Sequence, residues 1–229
     1  MSTNIFKNEI ICAVFDLDGT LLNTINTITH YLNFALEKNR LSTVTPEECK
    51  SFVGDGVRML LIRAIEAVGE YTEELYERVF TDYNSAYDQN PNYLTELYPG
   101  VREMLSALRE GGIRLAVLSN KPHIATIGTV EAILPGVFDI VSGGRDGVPL
   151  KPDPTSLLDT ISALGFTPEE CAYIGDSDVD IITASRAGVK LPIGVTWGYR
   201  SREVLISAGA STLAETPSDL FGLIFTKNT

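Results

Sequence analysis

Hydrophobic residues occur in short continuous runs that alternate with amphipathic stretches along much of the chain. The first run, residues 10–15 (IICAVF), is rich in branched side chains and predicts a strand buried on both faces. Later runs of the same kind predict further strands at 115–118, 138–141, 171–174 and 193–196. The amphipathic stretches between them predict helices. This alternation favours right-handed crossovers and a parallel sheet.

The segment between the first two predicted strands has a different pattern, since its apolar residues recur only at helical spacing. Within it, Thr45-Pro-Glu-Glu48 is typical of a capped helix start with proline at the first helical position. We therefore predict an α/β protein, with a Rossmann-like parallel sheet core and an inserted all-helical cap domain. The predicted core is discontinuous, residues 1–22 and 88–229, and the predicted cap is residues 23–87.

Net charge, hydrophobic run length and cysteine content indicate which partners and which location to expect. The 229-residue chain has a net charge of −12, which disfavours nucleic acid because its phosphates would be repelled. No apolar run approaches the roughly 18 residues of a membrane helix, so we expect no membrane association. The three cysteines are widely spaced, which indicates reduced thiols and a cytoplasmic location. The sequence does not distinguish a monomer from a homodimer.

Polar residues follow several predicted strands at the point where each strand ends. Because the carboxyl ends of parallel strands meet at one edge of a sheet, we expect these residues to converge. They are Asp16, Asp18, Ser119, Asn120, Lys121, Lys151, Asp176 and Asp180. Four carboxylates at one edge would repel one another unless a hard divalent cation lies between them. Mg²⁺ is favoured, because no histidine or cysteine cluster offers a zinc site.

Magnesium beside carboxylates is typical of phosphoryl transfer, so we expect a small phosphorylated metabolite as substrate. Asp16 is a candidate nucleophile, and Asp18, two residues later, is a candidate acid and base. Ser119 or Asn120 can donate hydrogen bonds to phosphate oxygens, and Lys151 can balance charge on nucleophile and phosphate. Lys121 can cover the phosphate or lie at the surface.

Four motifs resemble those of the haloacid dehalogenase superfamily, in that family's order and over nearly the whole chain. They are Asp16-Leu-Asp-Gly-Thr-Leu21, Leu118-Ser-Asn-Lys121, Lys151-Pro-Asp-Pro154 and Gly175-Asp-Ser-Asp-Val-Asp180. The resemblance implies a nucleophile at Asp16, a general acid and base at Asp18, phosphate contacts at Ser119 and Asn120, and a charge-balancing Lys151. It also implies metal ligands at Asp16, Asp18 (through its main-chain carbonyl), Asp176 and Asp180. Asp180 would act through water or support Lys151.

Two further features refine the resemblance. An acid two residues after the nucleophile is absent from the dehalogenases themselves, so Asp18 indicates phosphate chemistry. The helical cap is similar to that of the phosphoglycolate phosphatase-like group, and residues 53–58 (VGDGVR) resemble its substrate-specificity loop. That resemblance implies a close approach to substrate at Gly54 and a contact from Arg58 to a substrate carboxylate.

Three alternatives to a phosphatase remain open from the sequence. A phosphosugar mutase resembling β-phosphoglucomutase would use the same aspartate but return an isomerised sugar phosphate. A phosphonate hydrolase would need a cap lysine, for which Lys38 and Lys50 are the candidates. A non-catalytic binding protein would not be expected to keep all four motifs. Trp197 and Tyr199 are expected to pack under the core.

Overall fold

The computed structural model describes residues 9–225 and contains a six-stranded parallel sheet in that range. Its strands lie in the order β5-β4-β1-β6-β7-β8. Their bounds are β1 Cys12–Phe15, β4 Arg114–Pro122, β5 Ile140–Gly144, β6 Cys171–Gly175, β7 Leu191–Val195 and β8 Leu213–Ala214. Chain order reverses on the two sides of β1, and such a switch point leaves a crevice at the carboxyl ends of the strands. The predicted α/β sheet class is confirmed.

Six α-helices follow residue 100 and flank the sheet within the described residues. They are α5 Val101–Glu110, α6 His123–Ile133, α7 Thr155–Leu164, α8 Asp178–Ala187, α9 Arg202–Ser207 and α10 Asp219–Phe225. The alternation of side chains along β1 shows how both faces are covered. Ala13 and Phe15 pack in one apolar cluster with α5, whereas Cys12 and Val14 pack in another with α7 and α8. β1 is therefore buried on both faces, as its continuous apolar run predicts.

The chain between β1 and β4 forms four helices with an apolar cluster of their own. They are α1 Ile25–Lys38, α2 Pro46–Phe52, α3 Gly56–Val68 and α4 Glu73–Tyr87. The predicted capping box begins α2, where Glu48 N donates to Thr45 Oγ1 (3.2 Å) and Thr45 N donates to Glu48 Oε2 (2.7 Å). From this separate cluster we propose that the four helices form the cap domain, with its boundaries near residues 23 and 87.

Two strands of two residues each lie where the chain enters and leaves the helical cluster. β2 (Leu22–Asn23) and β3 (Glu96–Leu97) pair antiparallel, so both passages run side by side. The sequence analysis missed both strands, since two residues are too few to show a period. In the described part of the chain no helix has the length and apolarity that crossing a bilayer requires.

Candidate active site

Asp16 follows β1 directly and begins a tight turn at the carboxyl edge of the sheet. Its N–H donates to Ile174 O (2.8 Å), which continues the parallel ladder between β1 and β6. The main chain then reverses through Gly19, whose φ of +90° favours glycine. A Cβ on Gly19 would lie 2.3 Å from Asp176 Oδ2, so the turn lies against a second acidic residue. The Asp-x-Asp-Gly spacing thus lets the turn approach the end of β6.

Lys151 lies between two of the carboxylates and is itself buried. Its Nζ lies 2.9 Å from Asp16 Oδ1 and 2.7 Å from Asp180 Oδ1. Asp180 is fully buried and accepts further hydrogen bonds from Tyr173 Oη and from the N–H and hydroxyl of Ser177. Because a buried charge is costly without such partners, this network fixes Asp180. Its geometry fits the expected support of Lys151.

Asp176 directly follows β6 and faces Asp16 across the crevice. It accepts hydrogen bonds from Thr20 Oγ1 (3.0 Å) and Tyr199 N (2.7 Å). One oxygen from each of Asp16, Asp176 and Asp180 lies within 4.8 Å of the others. Asp16 Oδ1 is buried and lies beside the ammonium of Lys151. A buried, all-oxygen cluster of three carboxylates beside a single ammonium fits a hard divalent cation such as Mg²⁺.

The electrostatics of the metal-free cluster favour a bound cation. Burial raises the pKa of Asp16 well above its ordinary range, and Asp180 and Asp176 raise it further against the charge of Lys151. Burial, with the nearby Asp180, raises the pKa of Asp176 to about 7. Burial alone would lower the pKa of Lys151, but the charges of Asp16 and Asp180 outweigh it and raise that pKa. The ammonium is therefore charged, and the carboxylates need more positive charge to ionise together.

Asp18 lies outside the carboxylate cluster and pairs with Lys121 instead. Lys121 Nζ lies 3.4 Å from Asp18 Oδ1 and 5.1 Å from the ring centre of Tyr87, on α4. The Lys121 side chain is only 8% exposed, so the alternative of a surface lysine is wrong. Burial alone would lower its pKa, but Asp18 and Tyr87 outweigh it and raise that pKa. The Asp18 carboxylate is thus free of the proposed metal position, which leaves its main-chain carbonyl as the candidate ligand there.

Ser119 and Asn120 are buried inside β4, which extends four residues past the predicted end of the apolar run. Ser119 Oγ accepts from Lys121 N (3.2 Å) and keeps its own proton to donate. The Asn120 amide is already engaged: Nδ2 donates to Gly54 O and Lys151 O, each at 2.9 Å, and Oδ1 accepts from Lys151 N. Because both amide hydrogens of Asn120 are used, the side chain of Ser119 is the better candidate to donate a hydrogen bond to phosphate.

Gly54 and Arg58 belong to the predicted specificity loop but lie in different surroundings. Gly54 lines the cavity above the acidic cluster, and Asn120 holds its carbonyl. Arg58 does not line this cavity: its side chain is 57% exposed, pairs with Glu73 (3.4 Å) and stacks on Tyr76. The structure therefore does not support the expected contact from Arg58 to a substrate carboxylate. Arg58 lies in the first turn of α3, and the helix sets the direction of its side chain, which the loop motif in the sequence does not reveal.

A cavity of about 740 Å³ connects the acidic cluster with the helical cluster. Asp16, Asp18, Ser119, Lys151 and Asp176 lie on its sheet side. Its opposite wall is mainly apolar and aromatic, and is formed by Ile28, Val57, Leu60, Phe80, Tyr83 and Tyr87. A concave, mainly apolar space with convergent polar groups at one end is typical of a small-molecule site.

Several site residues were missed or misplaced by the sequence analysis. Thr20 donates to Asp176, and Tyr199 both donates to Asp176 through its N–H and bonds Thr24 through its hydroxyl. Tyr199 lines the cavity and packs against the apolar cluster of the four helices, not against the two clusters of the sheet, so the expectation that it packs under the core holds only in part. Trp197 does pack against the core cluster, as expected. A strand-end position was the signal available for Tyr199, but an aromatic residue there is equally compatible with packing.

Comparison with known proteins agrees with the resemblance that the four motifs indicate. The sequence model of the haloacid dehalogenase-like hydrolase family matches residues 13–193 of this chain. A phosphoglycolate phosphatase of Aquifex aeolicus is 36% identical over 187 residues, which cover 81% of this chain and 84% of the relative. One from Chromobacterium violaceum is 33% identical and covers 93% of this chain and 95% of the relative.

A solved structure shows that the likeness extends to the fold. A protein of Haemophilus somnus 129pt, described as a predicted phosphoglycolate phosphatase, superposes with a TM-score of 0.88 at 26% identity. The match covers 95% of this chain and 99% of that one. Together these matches confirm the resemblance that the four motifs carry. The chain belongs to the haloacid dehalogenase-like hydrolase family.

Proposed function

We propose that this protein is a magnesium-dependent phosphatase that hydrolyses a small phosphomonoester through an aspartyl-phosphate on Asp16. The observation that carries the proposal is the convergence of Asp16, Lys151, Asp176 and Asp180 at the sheet end of the cavity. The names of the relatives support phosphoglycolate as the reference substrate. The predicted cytoplasmic location and the choice between monomer and homodimer stay predictions.

The first half of the proposed reaction transfers the phosphoryl group to the protein. A carboxylate oxygen of Asp16 attacks phosphorus, and the bond from phosphorus to the leaving oxygen breaks. Asp18 gives its proton to that oxygen, so the alcohol leaves neutral. Ser119 Oγ donates to a phosphoryl oxygen, and Lys151 offsets charge on the nucleophile and phosphoryl group.

The second half returns the protein to its starting state. Asp18, now ionised, takes a proton from water, and the resulting hydroxide oxygen bonds to phosphorus as the bond to Asp16 breaks. Free phosphate and an unmodified Asp16 result. Bound magnesium supplies positive charge for the phosphoryl oxygens and relieves repulsion within the carboxylate cluster. Asp16, Asp176, Asp180 and the carbonyl of Asp18 are the residues that would hold it.

The test is phosphate release from a panel of phosphomonoesters, with magnesium and with a chelator, for wild type, Asp16→Asn and Asp146→Asn. Asp146 is exposed on a loop and serves as the control. The panel includes phosphoglycolate and larger esters, because the cavity has room for them. We expect magnesium-dependent release that is retained in Asp146→Asn and lost in Asp16→Asn. Release that persists in Asp16→Asn would refute the nucleophile, and an isomerised sugar phosphate would indicate the mutase.

A further inference from the structure

Arg200 extends from the core to the end of a cap helix. It lies after β7, and its Nη2 donates to Val53 O (2.7 Å) while its Nη1 donates to Lys50 O. These carbonyls belong to the last turn and C-cap of α2, where helical carbonyls lack partners within the helix. Arg63, on α3, satisfies Phe52 O in the same turn (3.0 Å). The end of α2 is thus held by one arginine from the cap and one from the core.

The segment that Arg200 holds is the cap loop over the acidic cluster. Val53 and Gly54 line the cavity, and Asn120 donates to Gly54 O from the opposite side. Arg200 is itself part of the cavity wall, and its side chain is only 17% exposed. Two core side chains therefore bind adjacent carbonyls of this loop. A guanidinium suits this role, because its planar fork serves two acceptors at once.

Arg200 is oriented by neighbours that belong to the catalytic side of the molecule. Its Nε lies 3.6 Å from Asp178 Oδ1, at the start of α8. The preceding N–H, from Tyr199, donates to Asp176 Oδ2, so the backbone at this point is fixed to the carboxylate cluster. The hydroxyl of Tyr199 bonds Thr24, where the chain enters the cap helices. Residues 199–200 thus connect the carboxylate cluster with two points of the cap.

We propose that Arg200 is a positioning residue that sets substrate specificity by holding the Val53–Gly54 loop against the core. This inference rests on the proposed phosphatase function and adds a residue that the four motifs do not include. The loop forms part of the cavity wall on the cap side, whereas Lys151 Nζ and the carboxylates are held by contacts of their own within the core. Releasing it therefore weakens the contacts of the leaving group and leaves the phosphoryl contacts in place.

The kinetic test uses two substrates that differ in how far the leaving group extends. Methyl phosphate has a one-carbon leaving group, whereas the ring of phenyl phosphate is large enough that we expect it to contact the cap wall. For Arg200→Ala we expect kcat/KM to fall at least about fivefold more for phenyl phosphate than for methyl phosphate, mainly through KM. Arg200→Lys should recover part of the loss, since lysine keeps the charge but lacks the fork. Arg202→Ala is the control, because Arg202 pairs with the exposed Glu215 on the surface.

A second measurement does not depend on turnover. Hydrogen exchange of the amides at residues 53–57 should be roughly tenfold faster in Arg200→Ala than in wild type or Arg202→Ala. Unchanged exchange, or equal losses on both substrates, would overturn the proposal. If wild type releases no phosphate from any ester, the proposed function fails, while the exchange measurement still decides the role of Arg200.

Discussion

Lys121 Nζ lies 3.4 Å from Oδ1 of Asp18, and this ion pair is closed over by Tyr87 from the cap. Asp18, the proposed acid and base of the reaction, is therefore held by Lys121, which is covered when the cap lies over the sheet. From the sequence alone, Lys121 could equally have been a surface lysine. Its burial depends on Asp18, 103 residues earlier, and on a helix that the chain inserts between them.

Replacing Lys121 by methionine should lower phosphatase activity while the protein stays folded. The change removes the charge that orients Asp18 but keeps an apolar side chain of similar length. We expect kcat to fall on the order of 10²-fold, the lower range for a misplaced acid and base. Steady-state kinetics and circular dichroism check this. Lys38→Met, at an exposed pair with Asp82, is the control, and equal activity of the two variants would contradict the role.

Gly19→Ala should disrupt the carboxylate cluster rather than the fold as a whole. Its Cβ would lie 2.3 Å from Asp176 Oδ2, so Asp176 must move. A displacement of this kind costs on the order of 10²-fold in kcat/KM. Gly112→Ala is a matched control, since Gly112 has φ +86° and no described atom within 4 Å of the added Cβ. Both variants share the backbone strain of about 1–2 kcal/mol, so a difference in activity reports the clash alone.

The stability of the metal-free protein should fall as pH rises between about 4 and about 7. Asp176 has its pKa raised to about 7 in the folded state, above its ordinary value of 3.8. The folded state therefore binds this proton more tightly, and the resulting stability is present below about pH 4 and lost by about pH 7. Urea unfolding in the presence of a chelator, repeated at several pH values, measures how the free energy of unfolding changes with pH.

Two comparisons identify the source of that slope. Asp176→Asn should reduce it, because the side chain no longer titrates. Saturating magnesium should remove it and raise stability most at the higher pH, since the cation competes with protons for the carboxylates. Equal magnesium stabilisation at about pH 5 and about pH 8 would count against a carboxylate site of this kind.

Arg58→Ala should leave substrate affinity almost unchanged. Arg58 is exposed, pairs with the exposed Glu73, and lies over the ring of the buried Tyr76. We expect KM for phosphoglycolate to change by less than about twofold, as for other exposed pairs. A tenfold or larger rise in KM, measured by initial rates of phosphate release, would show instead that the cap brings Arg58 to the substrate.

The sequence predicted most reliably the features that depend on local pattern. Buried strands such as β1 and β6 consist of apolar runs, and the capping box of α2 needs only four neighbouring residues. The polar residues at strand ends could be placed together because a parallel sheet brings those ends to one edge. β8 escaped prediction because two residues carry no period.

Features that depend on contacts across the chain were not available from the sequence. Asn120 was expected to bind phosphate, but its amide is taken by carbonyls at Gly54 and Lys151, far away along the chain. Arg200 reaches α2 only because the cap lies over the end of β7. Neither contact leaves a local pattern of spacing or composition.

The central position of β1 has a consequence for the order in which the chain acquires its structure during synthesis. Cys12 pairs with Arg114 on one side and with Cys171 on the other, so its partners are made 102 and 159 residues later. Bringing such distant segments together carries a loop-closure cost, although this grows only slowly with length. The four cap helices, by contrast, contact one another within residues 25–87. The strand that leads to Asp16 is therefore synthesised before the cap, and its sheet neighbours exist only after the whole cap has been made.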